Sequence, residues 1–337
     1  MHDESASAFA SLIQRESAQL RSAPPREAIP LDIDDALSYG ASLKGKVVIV
    51  TGAGSGFGRA YARKLGEIGA KVALSDYKKH LAQEVADEIV AKGGTATAVA
   101  CDVIDWDAQV RMFRHAVETY GHIDVVVANA GIGEPPSDRF MDLAPGPDGE
   151  PTKPTLRTLG PNLNGVAYTA KLAFFHLDKN PVKEGKTLVV LGSIASFIGL
   201  PGGPVYGASK HAVLGLVRSL VYDGMAFGIN VNIVNPFFVK TNIFNTVTTL
   251  LLAGIPLPTI DDVVAAMIAA SSKPKTSGSA FVVDFKGILE LPSTAAYAGT
   301  GNFYEVFGRR AAGGIIFGKW LSDIVSAVFG AFSSQRR

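Results

Sequence analysis

Short, almost unbroken apolar runs recur along the chain at 47–50, 72–74, 125–128, 188–191, 231–234 and 281–283, with a weaker one at 96–100. Helix-length segments separate them, at 60–68, 81–91, 110–120, about 155–177 and 213–225. A strand that is apolar at every position needs both faces covered, which a parallel sheet between two helical layers provides. The pattern predicts a doubly wound α/β fold built on a seven-stranded parallel sheet. It runs without a break from about 44 to 288, so one domain is expected, over 43–292. Residues 1–42, with Pro24-Pro25 and no sustained apolar face, read as a loosely docked N-terminal arm. A Pro/Gly-rich stretch at 144–151 reads as a surface loop. The last part, 293–337, is a C-terminal extension. In its segment 315–332, Lys319, Asp323, Ser326 and Gly330 fall on one side of a helical wheel. Phe317, Trp320, Leu321, Ile324 and Val328 fall opposite, which predicts an amphipathic helix.

Charge narrows the possible functions. With 32 basic and 31 acidic residues the net charge is +1, too little to draw in a phosphate backbone, so no nucleic-acid partner is expected. A composition 47% apolar and 19% charged excludes a disordered chain. Cys101 is the only cysteine, so no intrachain disulfide forms, which suits a reducing, cytoplasmic setting. The acidic, polar N-terminus and the lack of any Asn-x-Ser/Thr speak against secretion. The stretches 187–209 and 241–260 carry no charge and are long enough to span a membrane, yet both contain Pro and mix in polar residues. They read as buried protein. The polar face of the terminal helix is poor in Lys and Arg, so packing against the body or across a dimer is favoured over a lipid surface. The six His form no ligand-spaced cluster, and no metal site is expected.

The first run leads into Thr51-Gly52-Ala53-Gly54-Ser55-Gly56-Phe57-Gly58, followed directly by a helical segment. Glycines let the backbone turn tightly and let a pyrophosphate approach the helix N-terminus, where free N–H groups favour an anion. Phe57 breaks the strict G-x-G-x-x-G spacing and no Gly-Lys-Ser/Thr follows, leaving T-G-x-x-x-G-x-G. Gly52, Ser55, Gly56, Phe57 and Gly58 form the candidate cradle, although the octet alone is also compatible with a plain glycine-rich turn. Asp76 ends the second run, where a carboxylate accepts from ribose hydroxyls and repels a 2′-phosphate. Ser55 supplies no compensating cation, although Lys78 and Lys79 lie close, so NAD is expected over NADP. Asp102 and Val103 close the weak run and bring a second carboxylate to the same edge; the alternative for Asp102 is a cap on the helix near Trp106.

Ser193 follows the 188–191 run, and Tyr206-Gly207-Ala208-Ser209-Lys210 opens the next helix thirteen residues later. Tyrosine and lysine one turn apart share a helix face. A free phenol ionises near about pH 10, so a tyrosine base working near neutrality needs a neighbouring ammonium and an oxidised nicotinamide to bring it down.

These elements, in this order, resemble the short-chain dehydrogenase/reductase family over about residues 44–290. The resemblance implies a Rossmann-type fold and assigns Asn129, Ala130 and Gly131 to the cofactor site. It makes Asn162 the fourth catalytic position, holding a proton-relay water, and puts Val239 and Thr241 on the nicotinamide carboxamide. Within the family the chain is most similar to 15-hydroxyprostaglandin dehydrogenase-like enzymes, including fungal alcohol dehydrogenases, at 147–154 and at Lys286-Gly287-Ile288. Three positions depart from the family pattern: Pro161 for a Val, Phe237 for a Gly and Ala128 for an Asn. The implied reaction exchanges a hydride between a secondary alcohol and NAD. Tyr206 takes the hydroxyl proton, Ser193 fixes the same oxygen and Lys210 binds the nicotinamide ribose. A homodimer or homotetramer is implied as well. The apolar stretch 241–260 falls at the family's substrate lid and suits a lipid, terpenoid or polyketide alcohol, with packing on the sheet or a second subunit an equal alternative. The competing reading is a catalytically silent nucleotide-binding or scaffold protein, against which the intact Ser193, Tyr206 and Lys210 weigh.

Overall fold

Every apolar run is a strand, and the destination of alternate side chains explains why none of them alternates in polarity. The computed structural model describes residues 27–135, 140–182, 184–240 and 254–292, with Leu252, Gly313, Phe317, Gly318, Leu321 and Val325. The order is β1 (Ile29–Leu31), α1 (Ile33–Ser38), a 3-10 turn (Tyr39–Leu43), β2 (Val47–Thr51), α2 (Gly56–Ile68), β3 (Lys71–Asp76) and α3 (Lys79–Ala91). Next come β4 (Thr95–Ala100), α4 (Trp106–Tyr120), β5 (Val125–Ala128) and a π-helical stretch (Gly160–Gly165) that continues as α5 (Val166–Asp178). The remainder is β6 (Thr187–Leu191), a 3-10 turn (Ile194–Ser196), α6 (Pro204–Phe227), β7 (Asn230–Pro236), α7 (Ile260–Ser272), β8 (Ala280–Asp284) and β9 (Gly287–Leu291).

Val48 and Val50 of β2 enter a core shared with α2, α3 and α7, while Ile49 between them enters one shared with α4, α5 and α6. The strands lie in the order β1-β9-β8-β7-β6-β5-β2-β3-β4. From β8 to β4 all neighbours are parallel, so the expected seven-stranded parallel sheet is present. The whole sheet has nine strands, a correction to the expected seven, because β9 turns back antiparallel on β8 and β1 adds antiparallel to β9.

Part of the stretch read as an arm is therefore folded onto the domain. Ile29 pairs with Glu290, Asp32 caps α1 by accepting from the Asp34 N–H at 2.8 Å, and α1 buries Ala36. The chain reaches β3 and β4 on one side of β2 and returns to place β5 on the other, which opens a crevice at the carboxyl ends of β2 and β5. The 144–151 stretch is a small hairpin closed by a bridge between Pro145 and Pro151. Of the expected lid over 241–260 only Leu252 and 254–260 are described, and of the terminal helix only residues that are helical and exposed: Phe317, Gly318, Leu321 and Val325. Among the described residues no helix is long and apolar enough to cross a membrane, and no group of His, Cys, Asp and Glu is arranged to hold a metal.

Candidate active site

The glycine turn is shaped by what presses on it. A Cβ on Gly52 would stand 2.9 Å from the Ala130 Cα, and one on Gly58 would stand 2.3 Å from the Gly52 carbonyl oxygen. Gly56 differs: its φ of 53° excludes most side chains, but nothing lies within 4 Å of its would-be Cβ. The open space is at the N-terminus of α2, where Ser55 occupies the cap position without a side-chain cap bond. The first N–H groups of a helix have no intrahelical partner, so this end is suited to an anion. Asn129 fixes the turn from β5, donating from Nδ2 to the carbonyls of Thr51 (2.8 Å) and Gly52 (3.1 Å). The N–H groups of Asn129 and Ala130 both donate to Thr51 Oγ1. Phe57 packs against the core beside α2.

Asp76 lies under the turn, 6% exposed, and accepts from the N–H groups of Gly54 (3.1 Å) and Lys78 (3.0 Å). Asp102 is exposed and accepts from the Ile104 N–H. It does not cap α4; Asp105 does, through the Ala108 N–H at 3.0 Å, which leaves the Asp102 carboxylate facing solvent at the sheet edge. Val103 packs against Gly165, where a Cβ would stand 2.6 Å from its Cγ2. The uncrowded backbone at Gly56, a helix end without a side-chain cap and a carboxylate under the turn fit a dinucleotide.

Asn162, Ser193, Tyr206 and Lys210 come from three elements and meet beyond β5 and β6. Asn162 sits in the π-helical stretch directly after Pro161, completely buried. Its amide exchanges hydrogen bonds with the Ile132 backbone at 2.8 and 2.9 Å and donates to Ser209 Oγ at 3.2 Å. Ser193 stands at the cap of the 3-10 turn after β6, its hydroxyl accepting from the Ala195 N–H at 3.1 Å and facing the Tyr206 phenol. Lys210 is buried and donates from Nζ to the Leu191 carbonyl at 2.7 Å, 5.8 Å from the centre of the Tyr206 ring. A Cβ on Gly131 would stand 3.1 Å from Asn162 Oδ1 and 3.8 Å from Lys210 Nζ, so the absence of a side chain there lets the two approach.

Burial sets the protonation of this pair. It pushes the Tyr206 phenol above the ordinary tyrosine value, with the Ser193 hydrogen bond pulling the other way. Burial likewise brings the Lys210 ammonium down to about 8. Phe237 donates its N–H to the Val283 carbonyl and crosses Phe238 edge to face at 6.0 Å, while Val239 is buried in the core beside α2 and α7. Thr241 lies outside the described residues. Cys101 is buried and its thiol is pushed up to about 12, mainly by burial.

The family model for short chain dehydrogenases matches residues 46–250. The chain belongs to that family. An L-rhamnose 1-dehydrogenase (NAD(P)(+)) of Azotobacter vinelandii is 36% identical to this short-chain dehydrogenase over 202 residues, 59% of this chain and 75% of the relative. A versicolorin reductase of Emericella nidulans is 35% identical over 207 residues, 61% of this chain and 74% of the relative. Among solved structures, a 3-ketoacyl-(acyl-carrier-protein) reductase from Brucella melitensis complexed with NADH has 29% identity and a TM-score of 0.62, covering 72% of this chain and 98% of its own. By membership the protein is an oxidoreductase with the family's NAD(P) site.

Several residues that organise the short-chain dehydrogenase site were not found from the sequence. Ser209 donates to the Tyr206 carbonyl at 2.6 Å while accepting from Asn162. Asn235 accepts from the Ser193 N–H at 3.3 Å. Glu134 accepts from the N–H groups of Val205 and Tyr206. Ser209 lies inside the Tyr-x-x-x-Lys segment and was within local reach; Asn235 and Glu134 act across 42 and 72 positions and leave no local signature.

Proposed function

We propose that this short-chain dehydrogenase interconverts a secondary alcohol and a ketone with NAD, with Tyr206 as the acid and base at the substrate oxygen. The observation that carries the reading is the buried Tyr206 phenol facing Ser193, with the Lys210 ammonium 5.8 Å from the Tyr206 ring, at the end of β6. Bound at the glycine turn, a nicotinamide dinucleotide supplies the hydride acceptor or donor. Gly52, Ser55, Gly56, Phe57 and Gly58 hold its pyrophosphate; Asp76 takes the ribose hydroxyls, and Asp102, Val103 and Gly131 border the rest.

Ser193 donates to the substrate oxygen and fixes its distance from the Tyr206 phenol. In the reducing direction the phenol, kept protonated by burial, gives its proton to the developing alkoxide. In the oxidising direction it must lose that proton first, and the Lys210 ammonium beside its ring favours the phenolate. Asn162, through Ile132 and Ser209, ties the segment after β5 to α6 and keeps the base and the substrate floor in register. Val239 and Thr241 complete the nicotinamide side.

Asp76 supports NAD over NADP, since a buried carboxylate against the turn repels a 2′-phosphate. The Phe237-Phe238 pair beyond β7 supports an apolar or aromatic substrate, such as a lipid, terpenoid or polyketide alcohol, in keeping with a 15-hydroxyprostaglandin dehydrogenase-like role. The unpaired, buried Cys101 agrees with a cytoplasmic setting, and we read the enzyme as a homodimer or homotetramer. The test is spectrophotometric: NAD and NADP with a panel of secondary alcohols, and NADH with the matching ketones. Turnover that prefers NAD and disappears in Tyr206→Phe, while that variant still binds NADH by fluorescence, is the expected result. NAD binding with no turnover on any alcohol or ketone would overturn it in favour of a nucleotide-binding scaffold.

A further inference from the structure

The six residues after β5 touch every part of the site. Asn129 holds the glycine turn, Ile132 exchanges bonds with Asn162, and Glu134 reaches α6. The last contact has no part in the chemistry described above.

Helix α6 begins without a cap of its own. Gly203 stands at the cap position and offers no side chain, and Pro204 has no N–H. Gly207 already donates to the Gly203 carbonyl at 2.9 Å, so the N–H groups of Val205 and Tyr206 are the ones left over. One oxygen of Glu134, Oε2, accepts both, each at 2.9 Å. A carboxylate at that end also complements the helix dipole. On the other side of Tyr206, Ser209 Oγ donates to its carbonyl at 2.6 Å. Both polar groups of the Tyr206 backbone are thus held by side chains, and the phenol they carry meets Ser193.

We propose that Glu134 is a positioning residue for Tyr206, completing the first turn of α6 from the segment after β5 so that the phenol stays on the reacting oxygen. The proposal rests on Tyr206 as the proton-transfer group. Its physical basis is the geometry of proton transfer: a catalytic group displaced by about 1 Å loses on the order of 100-fold in rate, and a helix end without its cap frays. Tyr206 sits in that first turn, so fraying moves the base itself.

The experiment compares full-length wild type, Glu134→Ala, Glu134→Gln and Tyr206→Phe on a secondary alcohol that wild type oxidises. Four readouts are taken: kcat, the Kd for NADH, the solvent deuterium isotope effect on kcat, and amide exchange of peptides covering 204–210. In Glu134→Ala we expect about ten-fold lower kcat, an unchanged Kd, a larger solvent isotope effect and faster exchange at 204–210. Glu134→Gln retains an oxygen that can accept both N–H groups and is expected to restore most of kcat and the slow exchange. Faster exchange with wild-type kcat and isotope effect would make Glu134 an ordinary stabilising cap and overturn the proposal, and unchanged exchange would overturn it too. Turnover retained in Tyr206→Phe overturns the assignment of Tyr206 and this proposal together. Turnover lost in Tyr206→Phe with Glu134→Ala unaffected overturns this proposal alone.

Discussion

Strand β5 has a buried polar cluster at each of its ends, and the two are treated in opposite ways. At the amino end Asp124, 1% exposed, accepts from the Val47 N–H, Lys46 Nζ and Asn180 Nδ2, with His122 Nε2 at 3.2 Å. Its hydrogen-bonding capacity is filled and its charge is matched, as a buried carboxylate requires. At the carboxyl end the groups are less settled. Lys210 is a buried cation facing a carbonyl, Tyr206 is a phenol pushed up by burial, and the buried Nδ2 of Asn235 has no hydrogen-bond partner among the described residues. One end is built to hold the sheet together. The other keeps polar groups in places that cost stability, which is expected where charge must change during a reaction.

Substitutions can test that division. The largest effect is expected from Tyr206→Phe, at least about 100-fold lower turnover with no fall in melting temperature, read by NAD reduction and calorimetry. Asp124→Ala should do the reverse. It leaves Lys46 without its counter-charge and the buried Val47 N–H without its acceptor, and is expected to lose about 3 kcal/mol in urea denaturation with kcat close to wild type. A large loss of kcat in folded Asp124→Ala would break the comparison.

Lys210→Met should end turnover yet stabilise the fold at pH 7, on the order of 2 kcal/mol, by removing a buried cation. The sign follows from the lowered lysine value, about 8 in the fold against the ordinary 10.5. Between these the unfolded chain binds the extra proton, so wild-type stability rises with pH across that window and falls to its low plateau below it. The advantage of Lys210→Met is therefore greatest at neutral pH and narrows towards pH 10, which melting curves at several pH values would reveal. The smallest effect is expected at Asp76→Ser, about a ten-fold shift in kcat/KM from NAD towards NADP, measured with both cofactors. An unchanged ratio would move the source of cofactor choice away from Asp76.

What the sequence disclosed, and what it withheld, follows the range of the interactions concerned. The strands were visible because double-sided burial makes 47–50 and 188–191 apolar throughout. The glycine turn and Tyr206 with Lys210 depend on spacings of a few residues. Helix α7 was missed because it is covered all round: 263–271 are buried without a break, so no period shows. Strand β1 was missed for another reason, since three residues have little pattern of their own and their partner β9 lies at the far end of the domain. Asp102 was open to a reading as the cap of α4, and the bond from the Ala108 N–H gives that place to Asp105 instead. Asn162 was identified from the family resemblance, whereas its grip on Ile132 required the fold.

The pairing of β1 with β9 also bears on how the chain is made. Ile29 leaves the ribosome about 260 residues before Glu290, which it must face. Contacts so distant in sequence form slowly, after the local βα units. During synthesis the strand that seals the sheet has no seat, and the sheet edge has no cover, until β8 and β9 have folded back. Of the strands described, the earliest in the chain is thus the last to be placed, and its docking reports that the sheet is complete.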